Sequence, residues 1–166
     1  MADVKPVIRP AEAEMQPSSK GDLYRSQDAR LGPLMGLTSL GCCYSEVPPG
    51  KSGCPFHNHH AEDEMFVILE GEGVYRFGGE RFAFKAGDIL AAPAGGPDTA
   101  HQILNTGETP LRYLAISSMA DLDICEYPDS GKFLARAKGP DGKQRFRQIR
   151  KSEGDIDYWD GEPGAE

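Results

Sequence analysis

Three of the chain's four histidines, His57, His59 and His60, fall within four residues, and Glu62, Asp63 and Glu64 follow at once. In an extended segment, side chains at i and i+2 share a face, so His57 and His59 aim two imidazoles at one point while His60 turns to the other side. Two neutral imidazoles plus a carboxylate are donors that a divalent first-row ion favours. Spacing alone leaves the three acids as rivals for the carboxylate position. His60 is expected outside the donor set, as a group that orients a ligand or the neighbouring loop.

Such donors need a rigid scaffold, and 166 residues suffice for one domain with its own core. Lys and Arg number 18 against 26 Asp and Glu, a net charge of −8 that opposes binding to nucleic acid or to anionic membrane surfaces. The opening "MADVKPVIRP" holds charges at Asp3 and Lys5 and no apolar run, which predicts neither a secretory signal nor a spanning helix, hence a soluble, cytoplasmic protein. Of the four cysteines, Cys42 and Cys43 are neighbours and no C-x-x-C pair occurs, so buried, reduced thiols are expected. Cys54 stands out by its closeness to the histidines.

Twenty glycines and thirteen prolines interrupt the chain too often for long helices, and an all-β fold is predicted. Residues 1–30 read as an N-terminal arm. Strands are expected within 34–47 and over 65–71, 73–77, 80–84, 89–93, 101–105 and 111–117, with Gly78 and Gly79 in a tight hairpin. Short strands with a turn every eight to twelve residues indicate a sandwich or barrel over 31–119. From 120 to 166 the chain reads as a tail packed on the outside of the barrel, in which "DICEYPDSGKF" holds two short strands and "KQRFRQIRK" a solvated strand or loop.

Two segments together resemble the paired signatures of the cupin superfamily. The first is Gly50, six residues, His57-Asn58-His59, four residues, Glu64, six residues, Gly71; the second is Gly87, five residues, Pro93-Ala94-Gly95, five residues, His101, three residues, Asn105. Relative to the general pattern, the lead-in from Gly50 is one residue longer and the loop before His101 three longer, insertions that a surface loop absorbs cheaply. The resemblance covers about residues 50–118. It implies a double-stranded β-helix, or jelly-roll barrel, and a divalent ion (zinc, manganese, iron or nickel) held by His57, His59, Glu64 and His101.

If Glu64 points inward, alternation places Phe66 and Ile68 beside it, with Tyr75 and Phe77 on the next strand and Gln102 and Tyr113 as polar contributors to a mostly apolar pocket. Tyr44 is a further polar contributor. Arg76 and Arg112 are expected on the outer surface. The chain also resembles short single-barrel bacterial cupins of the sugar-phosphate isomerase type that carry a C-terminal tail. That implies a metal-dependent enzyme, isomerase-like or lyase-like, acting on a sugar derivative, a keto/enol compound or an organic acid. The alternatives are a non-catalytic small-ligand binding or sensing module and a metal-dependent dioxygenase. Glu62 and Tyr75 are candidate general bases, and exposed strand edges predict a homodimer.

Overall fold

The computed structural model describes residues 4–152 and 154–164. A six-stranded antiparallel sheet runs in the order β1 (Gln16–Lys20), β2 (Tyr24–Arg30), β3 (Leu40–Val47), β10 (Leu111–Ser118), β5 (Glu64–Glu70), β8 (Ile89–Ala92). Packed against it is a three-stranded sheet of β7 (Glu80–Lys85), β6 (Glu72–Phe77) and β9 (His101–Leu104). The remaining strands, β13 (Gln144–Lys151), β12 (Lys132–Lys138), β11 (Leu122–Tyr127) and β4 (Asn58–His59), form a four-stranded sheet. The last two sheets meet at one bridge: His57 N–H donates to His101 O at 3.1 Å, and His101 N–H donates to His57 O at 2.7 Å.

Alternation builds the core. Along β5, Glu64, Phe66 and Ile68 face inward while Met65 and Leu69 are exposed, because successive side chains of a strand point to opposite faces. Phe66 and Ile68 join Val47, Tyr75, Phe84, Leu90, Ile103, Leu111 and Tyr113 in a cluster spanning the six- and three-stranded sheets. Removing such side chains from water at about 25 cal/mol per Å² of apolar area is the main force closing the barrel.

The chain departs from the sequence reading at two places. Residues 34–39 are not strand: Leu31–Leu34 form one helical turn, α1, closed by Met35 N–H to Leu31 O at 3.0 Å and ended by Gly36 at φ +73°. Pro33 presets helical φ, and the glycine takes the left-handed conformation that stops the turn. In the hairpin between β6 and β7, Gly78 alone has positive φ, and a Cβ there would press on the Asp98 backbone.

The 1–30 arm is woven into the fold from residue 16 onward. β2 pairs with β3, and β1 forms the outer edge of the sheet with every residue exposed. The tail likewise forms strands, and β13, the "KQRFRQIRK" segment, is exposed along its whole length.

Gly73 on β6 sits where the barrel is tightest: a Cβ there would overlap the Leu104 carbonyl oxygen and lie 2.8 Å from the Phe84 ring. Overpacking of a dense core costs about 1–3 kcal/mol, and more where backbone is the obstacle. Gly73→Ala is therefore expected to lower unfolding free energy by at least that amount in denaturant titration, while Gly79→Ala, with open space around its Cβ, leaves it within about 0.5 kcal/mol.

Candidate metal centre

The junction of the two smaller sheets delivers three of the donors. His57 and His101 face each other across their backbone bridge, with ring centroids 4.5 Å apart; His59, two residues on, lies with its ring centroid 5.1 Å from that of His57. From the opposite sheet, Glu64 at the start of β5 reaches in. Its Oε2 is 3.0 Å from His101 Nε2, 3.6 Å from His59 Nε2 and 3.7 Å from His57 Nε2. The other acids that spacing allowed go elsewhere. Asp63 accepts from Ala94 N–H through Oδ1, and Glu62 is buried against Arg136. His60 turns outward and pairs with Glu126 at 2.9 Å.

Each of the three imidazoles is oriented by its other nitrogen. His57 Nδ1 faces Pro55 O at 2.8 Å, His101 Nδ1 faces Thr99 O at 3.4 Å, and His59 Nδ1 faces Asp123 Oδ2 at 2.7 Å. Carbonyl and carboxylate oxygens only accept, so these contacts assign the hydrogen to Nδ1 in His57 and His59, while in His101 the shorter contact, Nε2 to Glu64 Oε2 at 3.0 Å, competes for it. The Nε2 atoms of all three rings are directed at the Glu64 carboxylate. Lone pairs gathered at this spacing repel unless a proton or a cation sits among them.

The pKa shifts of these groups follow from their burial and their mutual contacts. Burial disfavours a charged His57, yet hydrogen bonds to Cys54 and Glu64 outweigh it and raise its pKa well above the ordinary 6.5. Burial alone would raise Glu64, but hydrogen bonds from His101 and His57 and the charge of His59 hold it far below 4.5. His101 is lowered, chiefly by burial, against its bond to Glu64. The donor set thus fits a divalent ion of the kind that takes imidazole and carboxylate ligands.

The segment after the barrel also reaches this centre, through residues that the sequence reading did not single out. On β11, Asp123, Cys125 and Tyr127 alternate onto one face: Asp123 bonds His59, Cys125 pairs in register with His59, and the Tyr127 ring stacks on His57 at 6.1 Å. His57, His59 and Cys125 form a second group whose ligand atoms all lie within 4.8 Å of one another. Cys54, on the loop before β4 and close to His57 in sequence, acts to raise the His57 pKa. The signal for β11 was present as polar alternation in "DICEY", but nothing local tells a strand which sheet it will join.

The expected pocket residues distribute unevenly. Phe66 packs 5.6 Å from the His101 ring, and Tyr75 6.2 Å from it. Phe77 stacks on Tyr75, and Ile68 and Tyr113 lie deeper in the core. Gln102 is spent on structure: it accepts from Arg76 at 3.0 Å and donates to Cys54 O at 3.0 Å. Tyr44 belongs to a separate cluster with Ala29 and Leu31 and donates to Glu46. Arg76 binds Asp129, and Arg112 binds Glu46 and Glu70, on the outer surface as expected.

A jelly-roll barrel with a histidine-rich mouth is the architecture of the cupins, and the cupin-domain family profile matches residues 43–117. The chain belongs to the cupin superfamily. It is 41% identical over 71 residues to the oxalate-binding protein of Thermotoga maritima, a match covering 43% of this chain and 55% of that protein. The chain thus spans little more than half the length of this curated relative. Among solved structures, a predicted oxalate decarboxylase from Thermotoga maritima is 31% identical, with a TM-score of 0.59 over 69% of this chain and 99% of the other. A sugar phosphate isomerase of the cupin superfamily from Silicibacter pomeroyi is 22% identical, with a TM-score of 0.74 over 90% of this chain and 94% of the other, a likeness of fold. Among the described residues no helix is long and apolar enough to cross a membrane.

Proton and metal ion compete for the same His57 nitrogen, and the raised pKa strengthens the proton's hold on it. A raised pKa means that protonation of His57 stabilises the metal-free fold below about 6.5 and that this stabilisation is lost as pH rises through the higher folded value. Glu64, lowered, contributes stability above 4.5 that is lost only in strong acid. Zinc affinity is therefore expected to rise with pH, with proton release measured as the dependence of calorimetric heat on buffer ionisation enthalpy.

Proposed function

We propose that the protein holds a divalent metal ion on His57, His59, Glu64 and His101 and uses it to bind a small chelating carboxylate, of which oxalate is the simplest example. The convergence of the Nε2 atoms of three imidazoles on the Glu64 carboxylate carries this reading. Two relatives bear names that refer to oxalate, one at 41% and one at 31% identity. Four protein donors leave room on an ion that accepts five or six ligands, and the ion would supply Lewis-acid attraction for carboxylate oxygens. Phe66 and Tyr75 present aromatic surface beside His101, which excludes water and limits the ligand to a small one.

The residues near the centre favour holding a ligand over transforming it. Glu62 is locked by Arg136 Nη2 at 2.5 Å and by Ala120 N–H at 2.8 Å, and the Tyr75 hydroxyl donates to Ala91 O at 2.9 Å. Neither candidate base is available. An isomerase- or lyase-type enzyme is the second reading, and Tyr127 favours it, since its ring stacks on that of His57 at 6.1 Å.

Elemental analysis of the purified protein is expected to find about one first-row ion per chain, and calorimetry to find oxalate binding that chelation abolishes. His57→Ala is expected to lose both together. Metal content without any response to oxalate, malonate or glycolate would remove the carboxylate reading. Release of formate or carbon dioxide, isomerisation of keto-sugars, or uptake of oxygen would move the protein to the lyase, isomerase or dioxygenase class respectively.

The exposed β1 edge, with its row of unpaired backbone groups, supports a homodimer in which a second copy covers it. Light scattering at micromolar concentration is expected to give twice the 18.0 kDa chain mass.

A further inference from the structure

The cupin-domain match ends at residue 117, yet β11 begins five residues later and turns a face toward the metal centre. Asp123 is the most deeply placed residue of that face, with a fully buried side chain. A buried carboxylate is costly unless its oxygens are bonded, and here both are: Oδ2 faces His59 Nδ1 at 2.7 Å, and Oδ1 accepts from Ala61 N–H at 3.1 Å. Arg136, its cross-strand partner on β12, brings Nε to 3.6 Å of Oδ2 while its Nη2 grips Glu62. Glu62 in turn accepts from Ala120 N–H at 2.8 Å, at the point where the chain leaves the barrel.

We propose that Asp123, held by Arg136, is the positioning residue of His59, so that the hairpin following the barrel completes the metal centre. The inference rests on the reading that His59 is a ligand, and it adds the group that makes it one. Of the three imidazoles, His57 and His101 are set by backbone carbonyls close to themselves in sequence, Pro55 and Thr99. His59 is set by a side chain 64 positions away. The Asp123 carboxylate fixes the Nδ1–H tautomer, keeps Nε2 free for the ion and makes the imidazole a stronger donor. Arg136 orients the carboxylate and offsets its charge together with that of Glu62, which would otherwise repel it across a small gap.

Two measurements on the full chain test this. In the metal-free, 15N-labelled wild type, held above the titration range of the ring, the imidazole spectrum is expected to show His59 as the Nδ1–H tautomer, and Asp123→Ala to abolish that preference. Zinc affinity, measured by competition with a chelator, is expected to fall about 10- to 100-fold in Asp123→Ala, less in Asp123→Asn, and to stay unchanged in Lys151→Ala on the exposed strand. Affinity in Asp123→Ala within twofold of the wild type would overturn the proposal. So would an Nε2–H tautomer in the wild type, which decides the matter even if the variant does not fold. A wild type that takes up no zinc yet shows the Nδ1–H tautomer would instead remove the reading of the centre as a metal site and, with it, any positioning role.

Discussion

Three imidazoles and a carboxylate are brought together in this barrel, and the local structure is arranged to hold them there. Burying the His57, His59 and His101 rings with the Glu64 carboxylate is costly except where they bond one another. They stay close because the backbone leaves them no alternative. His57 and His101 are locked by reciprocal peptide hydrogen bonds, and Glu64 is anchored on a strand whose next inward residues, Phe66 and Ile68, are part of the core. Apolar burial thus sustains a polar arrangement that burial alone would disfavour.

Most of this was legible because it is written in periodicity and spacing. His57 and His59 share a face by strand alternation, and the same rule, applied from Glu64, places Phe66 and Ile68 inside, as found. The choice of Glu64 over Glu62 and Asp63 came from resemblance alone. The geometry is consistent with it: Glu62 is turned to Arg136 and Asp63 to the Ala94 amide. His101 could be placed only through the second signature, since no local pattern joins residues 44 positions apart.

What was not legible is long-range in each case. Alternation hinted that β11 has a polar face, but whether that face meets solvent or the barrel mouth depends on β11 pairing with a two-residue strand, β4, too short to predict. Gln102 shows the opposite limitation. Its position next to His101 suggested the pocket, yet strand alternation points it away, and Arg76 and the Cys54 carbonyl absorb both its polar atoms. The helical turn at Leu31–Leu34 lay hidden in an apolar stretch that reads equally well as strand, and Pro33 and Gly36 decide it through backbone conformation.

The paired peptide bonds between His57 and His101 have a consequence for selectivity. The distance between those two imidazoles is inherited from the spacing of a β-ladder, which changes little with whatever lies beside it. Such a frame has little means of resizing itself for ions of slightly different radius. Choice among zinc, manganese, iron and nickel would then follow the general ordering of first-row affinities and the relative abundance of each ion in the cell, with the polypeptide contributing the holder rather than the preference.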